Sequence, residues 1–206
     1  FIVTIEQEGD RDENPNNFEL MRGTLTENSS QLRFDLQNVG DQQSFLLATP
    51  SDGNNTINEL SGLWFVREDL QTQGLTLDKL TDGRFSYQAR LQNTSTGDEL
   101  NIGYFRDPKT KDDFQIFSLS SSVFNFPGED FLRNLPGDLE PPINLANGEY
   151  KIIVSLEPMI NNSDFTGEEV FVEIMSTEIP QNLEPYRTQL LDITFKPILL
   201  NLEINE

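Results

Sequence analysis

The chain has 206 residues, with 35 Asp plus Glu against 14 Lys plus Arg and a formal net charge of -21. Such a field repels nucleic-acid phosphates and anionic bilayers and attracts cations or basic partners. Neither Cys nor His occurs, which excludes disulfides, thiolate nucleophiles, Ser-His-Asp triads and ordinary zinc sites.

Hydrophobic residues make up 35% of the chain and include 15 Phe, a composition that predicts a folded core in spite of the charge. No apolar run reaches the roughly 18 residues of a membrane span. The first residue is Phe1 rather than Met, already inside a strand-like pattern. That start is expected of a processed product, with any signal peptide or lipid anchor lying upstream.

Along the chain the dominant period is two. Phe1, Val3 and Ile5 alternate with Ile2, Thr4 and Glu6, and Leu32, Phe34 and Leu36 with Arg33, Asp35 and Gln37. The run "GLWFV" at 62–66 is apolar on both faces, as a central buried strand would be. Phe85, Tyr87, Ala89 and Leu91 alternate with Ser86, Gln88 and Arg90, and Leu100, Ile102 and Tyr104 follow the same rule. Leu191, Ile193 and Phe195, then Leu200, Leu202 and Ile204, complete the pattern. Each alternating segment predicts a strand with one face on a core and one in water. Turn clusters such as Asp52-Gly53-Asn54-Asn55, Asp82-Gly83, Asp107-Pro108 and Asn147-Gly148 separate them.

Helical signals are scarce. "GEDFLRN" at Gly128–Asn134, between Pro127 and Pro136-Gly137, predicts one turn, with Glu129 and Asp130 complementing the helix dipole; Leu77–Leu80 is a weaker candidate. The stretch 127–148, rich in Pro and Gly, reads as a long ordered crossover. The expected fold is all-β: a single antiparallel two-sheet β-sandwich over 1–206, with roughly nine to eleven strands.

Two segments repeat one pattern. Phe1–Glu6 matches Ile152–Glu157, and Phe18-Glu19-Leu20-Met21 matches Val172-Glu173-Ile174-Met175, with apolar and polar positions in phase. The match predicts equivalent strand pairs, an internal repeat of 1–25 and 152–179 within one domain.

"FIVTIEQEGDRDENP", "FLLATPSDGNN", "LSGLWFV", "FPGEDFLRNLP" and "YKIIVSLEPMINNSD" resemble, in that order, blocks of an uncharacterised family of exported bacterial proteins. That family is commonest among Bacteroidetes; its members are often lipoproteins, and some are labelled anti-sigma-factor-like. "ATPSDG" followed by "GLWF" is the most specific element. Where the family has a segment like "YEGWVV…PVSTGRF", this chain reads "FSYQARLQNTSTGDELNIGYF" and lacks the Trp. The resemblance implies an all-β extracytoplasmic domain, periplasmic or at the cell surface, with no catalytic residues to carry over. An anti-sigma role fits less well, because the membrane span and cytoplasmic segment of such a regulator are not in this chain.

Several residue groups invite a chemical reading. Asp10, Asp12 and Asn14 offer oxygens at alternate positions, as Ca²⁺ loops do, but Pro15 and Met21 stand where an EF-type loop needs Gly and Glu. Ca²⁺ is thus the one candidate cofactor, against a merely solvated acidic turn. Glu6 and Glu157 could pair for glycoside hydrolysis, although a strand-end Glu facing water is the simpler expectation. Trp64, Phe65, Tyr87 and Tyr104 could form a platform for sugar rings or could be core; Trp64 is retained as a candidate ligand residue. Sequons at Asn28, Asn54, Asn93 and Asn161 mark exposed turns.

The function expected from the sequence is non-enzymatic: an exported binding or structural domain presenting an acidic surface to a protein, the cell envelope or a matrix. The alternative is a carbohydrate-binding or Ca²⁺-stabilised adhesion module. The two separate on a melt. If Asp10, Asp12 and Asn14 bind Ca²⁺, it stabilises the fold by about 2.7 kcal/mol at a hundredfold excess over its dissociation constant. Differential scanning fluorimetry in CaCl₂ and in NaCl of matched ionic strength should then differ for the parent and coincide for Asp10→Asn/Asp12→Asn. Equal melts for the parent would identify the loop as a solvated turn.

Overall fold

The computed structural model describes residues 2–4, 19–24, 29–34, 36, 39–53, 55–81, 83–121, 123–159 and 172–203. Strands follow in the order β1 (Ile2–Thr4), β2 (Glu19–Arg22), β3 (Ser29–Phe34), β4 (Gln43–Leu47), β5 (Gly62–Trp64) and β6 (Phe85–Asn93). They continue with β7 (Glu99–Phe105), β8 (Gly128–Asp130), β9 (Tyr150–Pro158), β10 (Val172–Glu178), β11 (Gln189–Leu191) and β12 (Ile198–Glu203). Helical structure among the described residues is limited to single 3₁₀ turns at Pro50–Asp52, Glu59–Ser61 and Leu145–Asn147. The fold is all-β and its sheets are antiparallel.

Where one domain over 1–206 is expected, the chain divides into two compact units, Phe1–Gln37 with Lys196–Glu206, and Asn38–Phe195. In the smaller unit β1 pairs with β2 and β12 pairs with β3 along its whole length. Leu32 is fully buried there, while Ile198, Leu199 and Leu200 of β12 are exposed.

The larger unit is a sandwich of two four-stranded sheets, ordered β10-β9-β6-β7 and β11-β4-β5-β8. In the first sheet, register places Tyr87 opposite Leu156, Ala89 opposite Val154 and Leu91 opposite Ile152, so these apolar side chains share one face. The other face carries Ser86 opposite Glu157 and Gln88 opposite Ser155. These polar residues are buried too, which corrects the expectation of a face in water. Their alternation with apolar residues is as the sequence predicts; their burial is not, because polar side chains that satisfy one another need no solvent.

In the second sheet β4 is buried at every position, from Gln43 to Leu47. Trp64 lies opposite Leu46 on one side and Gly128 on the other, and its ring meets Phe124 edge-on at 5.5 Å. Leu46, Ala48, Trp64, Val66 and Phe126 form one apolar cluster. The seam between the sheets is tied at one edge by backbone bonds, Ser176 N–H to Asp192 O and Thr194 N–H to Ile174 O, both 3.0 Å.

Gly128–Asp130 is strand β8, not the first turn of a helix, and Leu77–Leu80 is not helical. Gly128 decides the first point. It has φ +156°, and a Cβ there would stand 2.5 Å from Trp64 Cε3 and 2.6 Å from the Leu63 carbonyl oxygen. Only a bare glycine lets this backbone lie against the indole ring, and that approach fixes the segment as a strand.

The two segments with the shared pattern both form antiparallel pairs, β1 with β2 and β9 with β10, each with a register shift. Their environments differ. β9 is the second strand of its sheet and is buried at every position but Lys151, whereas Ile2 of β1 is 43% exposed. Phe1, Ile5, Glu6 and Phe18, which carry the first copy of the pattern, lie outside the described residues. Gly128→Ala should lower stability by about 2–4 kcal/mol through overpacking and backbone strain, read as a fall in the urea midpoint with unchanged slope.

Candidate functional site

Asp10, Asp12 and Asn14, and with them Glu6, lie outside the described residues. So do three of the four sequon asparagines; Asn93 starts the β6–β7 turn, where its Oδ1 accepts from Ser95 N and Thr96 N. Trp64 is 0% exposed and cannot present its ring to a ligand; Phe65 and Tyr87 are buried with it, and Tyr104 is half-buried. The sugar platform is therefore not formed, because these aromatics are recruited by the two sheets. Glu157 is also buried rather than facing water.

The polar chemistry of the interior centres on β8. Register places Asp130 opposite Gly62, two residues from Trp64, so its carboxylate crosses a strand position that has no side chain. A Cβ at Gly62 would meet Asp130 Oδ1 at 2.7 Å. From there Oδ1 accepts from Trp64 Nε1 and Oδ2 from Ser51 N–H, both at 2.7 Å. The next residue, Glu129, is 0% exposed; its Oε1 accepts from the Ser118 hydroxyl and its Oε2 has no partner. Asp112 completes the group, accepting from Gly128 N–H at 2.8 Å and Phe114 N–H at 2.9 Å.

No cation compensates these three carboxyls among the described ion pairs. Burial therefore dominates their ionisation. It pushes Asp112 and Glu129 up to about 7 and Asp130 up to about 6, against the opposing effect of the hydrogen bonds they accept. The nearby charge of Asp112 adds to the upward shift of Glu129, and that of Asp113 to the shift of Asp112. Glu129 and Asp130, expected as helix-start acids, are interior strand residues; the sequence signal for that placement is their aromatic setting, "FNFPGEDF".

A second network lies on the polar face of the β10-β9-β6-β7 sheet. Arg90 Nη2 reaches Glu157 Oε1 at 3.0 Å and also donates to Gln88 Oε1, while Nη1 reaches Glu99 Oε2 at 3.2 Å. Ser155 donates to the same Glu157 oxygen at 2.5 Å. This is a buried ion pair with its hydrogen bonds largely filled, so Glu157 is a structural partner of Arg90.

Glu99 joins this interior network to the surface. Together with Asp98, Leu100, Pro136, Gly137, Asp138 and Leu139 it lines a groove of ≈ 440 Å³. Leu100 is buried and Leu139 half-buried, whereas Asp98, Glu99 and Asp138 are exposed. The groove thus combines an apolar floor with an acidic rim. No group of three or more carboxylates among the described residues is arranged to hold a metal ion. No protein family, curated protein or solved structure matches the chain.

The interior carboxyls set a pH dependence. Their folded-state values stand above those of the unfolded chain, so the stability they contribute is fully present below about pH 4 and is lost as pH rises through about 6–7. Urea midpoints at constant ionic strength should fall between about pH 5 and pH 8. Glu129→Gln, which keeps the acceptor for Ser118 and cannot ionise, should flatten that fall. Asp130→Asn should cost about 1–3 kcal/mol at every pH, because an amide cannot accept from both Trp64 and Ser51.

Proposed function

We propose that this chain is a non-enzymatic, extracytoplasmic binding or structural domain that offers a strongly acidic surface to a protein, the cell envelope or a matrix. One observation carries this reading: the interior carboxylates are engaged in holding the fold. Asp112 and Asp130 accept from backbone N–H groups, and Glu157 neutralises Arg90. Over the whole chain acidic residues far outnumber basic ones, 35 against 14, and only a few of the described acids are interior, so the summed field at the surface is strongly negative.

Rigidity supports the same reading. A sandwich with polar groups locked on both sheets presents surface charges in fixed positions, which lowers the ordering cost of binding. The exported setting rests on the resemblance of "ATPSDG" and "GLWF" to the lipoprotein family described above.

Retention on an immobilised envelope or matrix fraction tests the proposal. It should fall steeply between about 50 and about 500 mM NaCl, as expected when exposed charges make the contact. Turnover of chromogenic glycoside or ester substrates that disappears in Glu157→Gln or Glu129→Gln would overturn the non-enzymatic reading.

A further inference from the structure

Strand β7 ends its sheet, and its outer edge is covered over only part of its length. At Tyr104 the edge is occupied: Asp113 N–H donates to the Tyr104 carbonyl at 3.1 Å, and the Asp113 carboxylate accepts from Tyr104 N–H at 2.9 Å. At Glu99 and Leu100 no backbone hydrogen bond reaches the strand from any described segment besides β6. An unpaired edge of this kind is a template for another extended chain.

The groove of ≈ 440 Å³ lies beside that open stretch. Glu99 and Leu100 are consecutive strand residues with side chains on opposite faces, so a groove lined by both must run past the backbone edge. Pro136 and Leu139 form its apolar wall. On its rim, Arg90 neutralises Glu99, but Asp98 and Asp138 have no cationic partner among the described residues. The depression at the other end of β7, ≈ 380 Å³, mixes Arg106 and Lys111 with Asp112 and Asp113 and has no single sign of charge.

We propose that the groove between the β7 edge and residues 136–139 docks an extended basic segment of a partner protein, which continues the sheet at Glu99–Leu100 and seats a lysine or arginine between Asp98 and Asp138. The backbone edge supplies register-specific hydrogen bonds, as in strand addition generally. Leu139 and Pro136 cover the methylene stem of the basic side chain, and the carboxylates take its charged end. The surrounding acidic surface steers such a segment inward before contact. This inference rests on the binding reading above and names the partner's chemistry.

The probe is a fluorescein-labelled octapeptide alternating lysine and threonine, followed by anisotropy on the full chain. Asp98→Asn/Asp138→Asn should weaken its binding by at least about tenfold, and Leu139→Arg, which places a cation in the groove, should abolish it. Glu178→Gln/Asp192→Asn removes the same charge elsewhere and should change affinity by less than about twofold. Amide hydrogen exchange should slow at Glu99–Asn101 when the peptide is bound. Equal weakening by the two double variants, or unchanged exchange at β7, would overturn the docking site. Salt-sensitive retention on the envelope or matrix fraction would survive that result, so failure of the groove is distinguishable from failure of the broader binding reading.

Discussion

The Asp130 carboxylate joins the indole of Trp64 to the backbone of Ser51, and the second sheet is organised around it. Two donors at 2.7 Å, one from a strand and one from a 3₁₀ turn, converge on an acid that is wholly out of water. Desolvating a carboxylate is expensive, and unpaired buried N–H groups are expensive as well. The fold settles both costs with one contact. It can do so only because Gly62 leaves room for the carboxylate and Gly128 leaves room for the ring.

Asp112 performs the same task at the edge of the sandwich. The segment between β7 and β8 has few ladder partners of its own, so the N–H groups of Phe114 and Gly128 turn to a side chain. The sheet of β10-β9-β6-β7 solves its burial problem differently. There Arg90 provides a counter-charge that lies against both Glu99 and Glu157. One chain thus keeps some interior acids on hydrogen-bond donors alone, with burial raising their pKa, and others beside a guanidinium. The first kind couples the fold to pH; the second couples it to a single arginine.

These interior arrangements shape the surface reading. Glu99 faces both ways, bonded to Arg90 within the sheet's polar layer and lining the groove outside. The Arg90 contact fixes the side chain that stands at the open edge of β7, so part of the acidic rim is preorganised by the core. Asp98 and Asp138 then contribute charge that the protein itself does not offset. A basic extended partner fits that combination of free edge, apolar wall and uncompensated carboxylates better than a sugar does, since the aromatic rings that would stack on a sugar are inside.

What the sequence determined was the class of structure and the phase of its strands. Period-two alternation at Phe85–Leu91 and Leu100–Tyr104 appears in β6 and β7, and "GLWFV" lies in the middle of a sheet, because side-chain alternation is a local property of extended backbone. The sequence also excluded thiolate and imidazole chemistry outright. Only the tertiary structure decided which polar residues are inside. Asp130 reads as a helix-start acid and Glu157 as a strand-end acid facing water, since nothing local distinguishes either from one whose donors arrive from residues about 70 positions away. The groove was illegible for the same reason: its two walls come from separate strands and loops, and the open edge beside it exists only once the order of strands in the sheet is fixed.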